Sequence, residues 1–241
     1  MGIHDTSIQT HQETTSKEGR VNMAVARAIL SLFAVAVVCS SCGAGGDSAT
    51  VQVDKETLMD PKSPEMTKTA PNEFSAKFET SAGDFVVEVK RELSPNGVDR
   101  FYNLVSNGFY NEQRFFRVVP GFIVQWGMHG DPDVTAKWHD ATIPDDPVKA
   151  SNGPGTITFA KTNQPNTRTS QLFINFGDNA GLDAQGFAAF GTVTEGMEVV
   201  NAINTEYGQK PSQGQIAEDG NKYLTKLFPN MDFIKTAYIL E

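Results

Sequence analysis

From residue 73 onward, apolar and polar positions alternate over short runs, separated by clusters of Gly, Pro, Asn and Asp. Phe74, Ala76 and Phe78 alternate with polar residues, as do Phe85, Val87 and Val89, with Ser81-Ala82-Gly83-Asp84 between them. Two such runs joined by a short polar stretch predict a β-hairpin. The period then changes. Ser94-Pro95 opens a helix, with proline in the first turn where its missing N–H costs nothing. Val98, Phe101, Leu104 and Val105 recur at helical spacing and Gly108 stops the helix. One apolar face on such a helix suits a lid on the end of a barrel.

Residues 114–127 read R-F-F-R-V-V-P-G-F-I-V-Q-W-G, two short β-rich runs joined at Pro120-Gly121, a turn-forming pair. Residues 128–155 are rich in Asp, Pro and Gly and read as a solvated loop. Their His129, Asp131, Asp133, His139 and Asp140 match no metal-ligand spacing, so no metal is expected. Gly153-Pro154-Gly155 is a turn and not a phosphate cradle, because no Gly-Lys-Ser/Thr follows. Residues 156–160, 170–176 and 186–193 predict three more strands, with a polar loop over 161–168. Met197, Val200 and Ile203 mark one face of a short helix, residues 215–228 a second helix inside an inserted segment over 205–230, and residues 233–240 a closing strand. Many short strands, two main helices and no βαβ alternation define an all-β barrel.

The chain of 241 residues leaves room for one sizeable domain plus appendages. Residues 1–22 are polar without periodicity, which fits a disordered extension or a misassigned start preceding Met23. Residues 23–42 place Arg27 before an apolar run that meets small residues. This is the layout of an export signal, and the run is shorter than the ~20 residues of a bilayer span. The two cysteines, Cys39 and Cys42, both lie here. Cys39-Ser-Ser-Cys42 has redox C-x-x-C spacing but stands at the end of an apolar segment. Ser40-Ser41-Cys42-Gly43 is similar to a bacterial lipobox, which implies lipidation of Cys42 and a membrane anchor, although Cys39 stands where leucine is usual; plain secretion is the alternative. Residues 43–72, with Pro61, Pro64 and Pro71, read as a flexible linker leading into a domain over 73–241. A net charge of -9 with no basic stripe argues against nucleic acid as a partner. Nothing in the pattern requires an oligomer, and a monomer is expected.

Within residues 114–127, strand alternation puts Phe115, Arg117 and Val119 on one face and sets Phe122, Val124 and Trp126 against Ile123, Gln125 and Gly127. One arginine and one glutamine then stand in an otherwise apolar sheet. An arginine there is expensive unless it is paired, so Arg117 is either a structural ion-pair member or a functional group at a pocket edge.

The wider pattern F-x-R-V-x-P-G-F-x-x-Q-x-G closely resembles the signature of the cyclophilins, peptidyl-prolyl cis-trans isomerases. T-F-A-K-T-N-Q-P-N-T-R-T-S-Q-L-F-I-N (158–175) and L-D-A-Q-G-F-A-A-F-G-T-V-T-E-G-M (182–197) resemble the family's later active-site segments. The resemblance covers residues 74–240. It implies a closed eight-stranded antiparallel barrel capped by two α-helices, with the 205–230 helical insertion as an addition before the last strand. It also implies proline-containing polypeptides as partners and no cofactor. By position, Arg117 matches the catalytic arginine. Phe122, Ile123, Phe173 and Leu182 match the proline-pocket wall, Gln125 and Gln171 match polar groups of the groove, with Gln125 taken as catalytic by holding either the arginine or the substrate carbonyl, and Ala160 opens the loop that meets the peptide backbone. Three departures stand out. Lys161-Thr162 replaces a frequent Asn-Ala in a loop one residue longer, Gly181 stands where many eukaryotic members have tryptophan, and Phe187, also expected to bind substrate, stands at the family's histidine position, where bacterial members often carry another aromatic. The Gly181 departure implies weak cyclosporin binding.

The residue types suit the chemistry. Rotation about a peptide C–N bond meets a barrier of ~18–20 kcal/mol from amide resonance. Lowering it needs no nucleophile, metal or redox group, only preferential binding of the twisted state, in which the prolyl nitrogen becomes an acceptor. A guanidinium that stays charged and presents several N–H groups can supply that contact. The sequence therefore predicts an exported prolyl isomerase of the bacterial envelope. A catalytically weak proline-binding module is the alternative, motivated by the Lys161-Thr162 loop and the insertion.

Overall fold

The computed structural model describes residues 54–240, and the expectations for 1–53, including the export signal and Cys42, lie outside the described residues. The expected hairpin is β1 (Glu73–Thr80) and β2 (Asp84–Lys90), paired from Glu73–Lys90 to Glu79–Asp84. Six further strands follow: β3 (Arg117–Val119), β4 (Ile123–Trp126), β5 (Thr156–Phe159), β6 (Leu172–Asn175), β7 (Ala189–Glu195) and β8 (Ile234–Leu240). All pairings are antiparallel, in the order β3-β4-β6-β5-β7-β2-β1-β8.

The closed barrel is not reproduced as an unbroken ladder. Among the described residues the two ends of the sheet meet through one bridge, Arg114 to Phe233, flanked by backbone bonds Phe115 N–H to Asp232 C=O (3.1 Å) and Ile234 N–H to Gln113 C=O (2.9 Å). Both β3 and β8 lie just past this point, so neither extends it into a ladder.

The inward faces of the strands bury Phe78, Phe85, Val87, Val89, Val124, Trp126, Ile157, Phe159 and Phe190 in one continuous core. The helix opened by Pro95 is α2 (Pro95–Ser106), and α1 is the short Lys55–Leu58. Helix α2 brings Val98, Phe101, Leu104 and Val105 into that core, with Phe101 stacked near Phe74 and Phe78 and tilted against Phe190. The second cap places Val200 and Ile203 in the same core.

Three expectations change. Residues 54–72 are not a free linker. Leu58, Met66 and Ala70 are buried in the core, Trp138 Nε1 donates to the Leu58 carbonyl at 2.8 Å, and the Ala70 N–H donates to Asp99 Oδ1 at 2.9 Å. These apolar residues are too widely spaced to show a period, yet all three are buried in the main core.

That next helix, α3 (Pro132–His139), lies inside the segment read as a solvated loop. Asp131 caps it by accepting from the Asp133 N–H, Pro132 occupies the first turn, and Val134 and Trp138, four residues apart, are buried. Asp146 and Asn152, further along, are buried too.

Alternation also fails around β3. Phe115 joins Val118 in the main core, while Phe116 packs in a second, smaller cluster, because residues 115–116 precede the regular strand. Helices α4 (Met197–Ala202) and α5 (Gln213–Leu227) then match the expected helical positions within a few residues.

Candidate functional site

Strands β3 and β4 are joined by a tight turn at Pro120-Gly121. The Phe122 N–H closes it on the Val119 carbonyl at 3.0 Å, with Gly121 at φ +72°, the left-handed position a type II turn demands. The turn fixes the register Arg117–Gln125, Val118–Val124, Val119–Ile123. Val118 and Val124 point into the core, so Arg117, Ile123 and Gln125 are turned to the other face. Phe122, expected on the Val124 side, lies before the strand begins and joins this outer face instead. Its carbonyl accepts from the Phe176 N–H (2.8 Å) and from Asn179 Nδ2 (2.9 Å), which pins it.

Pairing continues from β4 to β6, where Gln125 faces Phe173. Phe173 meets Phe187 edge-on, with centroids 5.9 Å apart. Leu182 lies in a 3-10 turn (Ala180–Gln185) whose start and end are held by Leu182 N–H to Asn179 C=O (2.8 Å) and Phe187 N–H to Leu182 C=O (3.3 Å). Asp183 secures this wall by accepting from Ser151 Oγ (2.5 Å) and from Asn152 Nδ2 (2.7 Å). Asn152 Nδ2 also donates to the Phe187 carbonyl. Ala160 follows β5 and bonds through its N–H to the Gln171 carbonyl at 2.9 Å.

All nine candidate groove residues, Arg117, Phe122, Ile123, Gln125, Ala160, Gln171, Phe173, Leu182 and Phe187, therefore line one open cavity of about 450 Å³. Ile123 and Phe173 form a nearly sealed apolar floor, each 3% exposed. The half-buried Arg117 lines the same cavity, its guanidinium carbon 5.7 Å from the Phe122 ring centre. Arg117 Nη1 donates to Gln125 Oε1 at 3.1 Å, and Gln125 Nε2 donates to Gln171 Oε1 at 2.9 Å. No carboxylate bonds to Arg117 among the described residues, so the ion-pair reading of this arginine is not what the site contains. Burial lowers the Arg117 pKa from its ordinary value, which still leaves the side chain protonated at neutral pH.

The two loop departures have visible consequences. Lys161 is mostly buried, its Nζ 5.6 Å from the centre of the Phe187 ring and 3.8 Å from Asp145 Oδ2. A Cβ at Gly181 would touch nothing within 4 Å, so the rim is open there.

The cavity extends past the residues expected from sequence to Trp138 and His139 of α3, to Thr169, and to Gln213 and Ala217 of α5. The α3 residues carried a usable signal, since Asp131-Pro132 followed by Val134 and Trp138 is a capped amphipathic turn. For Gln213 and Ala217 no local signal exists, because only the tertiary docking of α5 brings them here.

The cavity thus combines an apolar wall with an arginine held by neutral amides. Comparison with known proteins makes this specific. The family model for cyclophilin type peptidyl-prolyl cis-trans isomerases matches residues 75–220. The chain is 41% identical over 133 residues to peptidyl-prolyl cis-trans isomerase A of Dickeya dadantii, covering 52% of this chain and 68% of that protein. It is 35% identical to peptidyl-prolyl cis-trans isomerase B of Escherichia coli, covering 52% and 81%. In fold it is similar to a crystal structure of a cyclophilin type peptidyl-prolyl cis-trans isomerase of Cryptosporidium parvum, with a TM-score of 0.54 at 22% identity over 70% of this chain and 98% of that one. The chain belongs to the cyclophilin family and is a peptidyl-prolyl cis-trans isomerase.

Proposed function

We propose that Arg117 is the catalytic donor, that Phe122, Ile123, Phe173, Leu182 and Phe187 hold the proline ring, and that the enzyme serves folding proteins in the bacterial envelope. The observation that carries the assignment is a half-buried guanidinium, held by neutral amides and 5.7 Å from the Phe122 ring centre, lining the same cavity as Ile123 and Phe173. With the ring seated on Ile123 and Phe173, the prolyl nitrogen lies at the guanidinium side. In the twisted state that nitrogen loses its resonance and accepts a hydrogen bond, which the planar ground state cannot do. Binding is thereby stronger at the top of the barrier than at either end. Gln125 has both ends of its amide engaged within the protein, so it acts as a positioning residue for Arg117 rather than as a contact to the substrate carbonyl. Ala160 and Gln171 border the path of the peptide backbone.

The envelope assignment is supported by the apolar run over 23–42 and its lipobox-like end, with Cys42 as the lipidated residue and the chain acting as an anchored monomer. We read the Arg114–Phe233 bridge as the seam of a closed barrel.

Refolding of a protein whose slow phase is limited by a native cis-proline tests the assignment. The full chain accelerates that phase and an Arg117→Ala variant does not, while equal acceleration by both removes Arg117 from the mechanism. For the anchor, cells expressing the chain are labelled with a tagged fatty acid and fractionated. Label and membrane association disappear together in Cys42→Ser, and association unchanged by that substitution contradicts a lipid anchor.

A further inference from the structure

Residues 205–230 are the part of the chain to which the family resemblance assigns no role. They form a folded unit docked beside the groove. Its Ile216, Tyr223 and Leu224, together with Met231 just past its end, cluster with Phe116, the residue preceding Arg117. The Val118 N–H donates to the Gly208 carbonyl at 2.9 Å, tying the segment to β3. The Asn221 N–H bonds to the Gly130 carbonyl and its Nδ2 to the Glu112 carbonyl, both at 2.9 Å, tying α5 to the body.

Two glutamines reach from this unit into the site. Gln209, one residue past the Gly208 anchor, accepts from Arg117 Nε at 3.2 Å. Gln213, at the start of α5 and on the cavity wall, accepts from Gln171 Nε2 at 3.2 Å. A continuous series of hydrogen bonds thus runs Gln209–Arg117–Gln125–Gln171–Gln213, and both of its ends belong to the insertion.

We propose that Gln209 and Gln213 are positioning residues of the isomerase site, through which the insertion sets the orientation of the Arg117 guanidinium. The proposal rests on Arg117 being the catalytic donor. A guanidinium carries five N–H groups in a rigid fork, on a side chain with several rotatable bonds. Engaging Nε on one edge and Nη1 on another fixes the plane of the fork. Among the described residues Nη2 takes no hydrogen bond, which leaves it for the prolyl nitrogen. Amide acceptors also suit the task electrostatically. A carboxylate in the place of Gln209 would hold the fork equally well but would neutralise the charge the twisted state needs.

The test is the steady-state isomerisation of an Ala-Pro test peptide by the full chain, resolved into kcat and KM. Gln209→Ala is expected to lower kcat about threefold to tenfold, the range for one net hydrogen bond. Its KM and its thermal midpoint should be unchanged, since Gln209 is exposed. Gln213→Ala is expected to give a smaller loss of the same kind, because it acts through two more residues. The decisive arm is the double variant. On an Arg117→Ala background, Gln209→Ala should have no further effect, because nothing remains for it to orient. A wild-type kcat for Gln209→Ala overturns the proposal. So does a loss confined to KM, or an equal loss on both backgrounds. Wild-type activity in Arg117→Ala alone would instead overturn the catalytic assignment beneath it, so the two failures are distinguishable.

Discussion

Arg117 and Gln125 face each other as register partners on β3 and β4, and the guanidinium Nη1 donates to the amide oxygen at 3.1 Å. The contact is dictated by a two-residue turn, because Pro120-Gly121 sets the register and the register sets which side chains meet. Gln125 is 5% exposed and has no alternative partner in water.

Replacing it by leucine keeps the volume and removes both the acceptor for Arg117 and the donor to Gln171. Gln125→Leu should lower kcat at least about threefold to tenfold, the worth of the lost bond to Arg117 alone, and leave KM little changed. Peptide titration kinetics on purified variants check the split, and a rise in KM alone contradicts a positioning role.

Gly127 ends β4 at φ +113°, and a Cβ there would overlap the Gln171 Cα and the Ser170 carbonyl. Gly127→Ala should therefore cost more than about 1 kcal/mol of stability, through the strained backbone and the overlap together. It should also weaken activity by pushing Gln171 out of line. Chemical denaturation paired with activity measurement tests both halves.

Arg168, expected in a polar loop, is 1% exposed, and its Nη2 donates to Asp146 Oδ2 at 2.9 Å. Ser94 Oγ and the Gly97 N–H also bond to that carboxylate, clamping the start of α2 to the loop before β5. Arg168→Met leaves a buried carboxylate without its cation, and roughly 3–5 kcal/mol of stability should be lost. Burial alone would raise the Asp146 pKa, but the bonds from Ser94, Arg168 and Gly97 outweigh it and hold the group below the ordinary value of 3.8. Since the folded-state value is the depressed one, the unfolded chain takes up the proton first as pH falls. The contribution of Asp146 is fully present above the unfolded value and is lost as pH drops through the folded one. Thermal midpoints measured from neutral pH downward should fall in acid for the wild type, and that acid-dependent part should be smaller in Asp146→Asn.

Leu58 lies 1% exposed in the core, and its carbonyl accepts from the Trp138 indole. Leu58→Ala should cost about 2–5 kcal/mol, as for other buried leucines. A chain begun at residue 73 should be destabilised further, having lost Leu58, Met66 and Ala70 together. Urea midpoints of the full chain, the variant and the truncation order these effects. Equal midpoints would show that the segment is not part of the fold.

The strands and the α2 lid were legible because each carries a local signal, a period of two or a helical period opened by proline, and a motif with fixed spacing picked out nine residues that line one cavity. What stayed hidden depends on contacts distant in the chain. Leu58, Met66 and Ala70 sit in a polar, proline-containing stretch and are explained only by the cavity they fill. Arg168 and Asp146 look like ordinary surface charges until the fold brings them together. Phe115 and Phe116 defeat alternation because the strand begins after them. The turn of α3 was readable from Asp131, Pro132, Val134 and Trp138, but the surrounding Asp, Pro and Gly content concealed it. Gln209 and Gln213 reach Arg117 and Gln171 only because residues 205–230 dock on β3 and beside the groove, which no local pattern encodes.

The most direct test of the account separates binding from barrier crossing at Arg117. Exchange between the cis and trans forms of a bound X–Pro peptide can be followed by NMR line shape with the full chain and with Arg117→Ala, alongside the affinity of each. The account predicts that the variant binds the peptide within a few-fold of wild type, the apolar floor being intact. On-enzyme exchange should slow by about a hundredfold or more, as for loss of other transition-state donors. Exchange at the wild-type rate in a variant that still binds would contradict it.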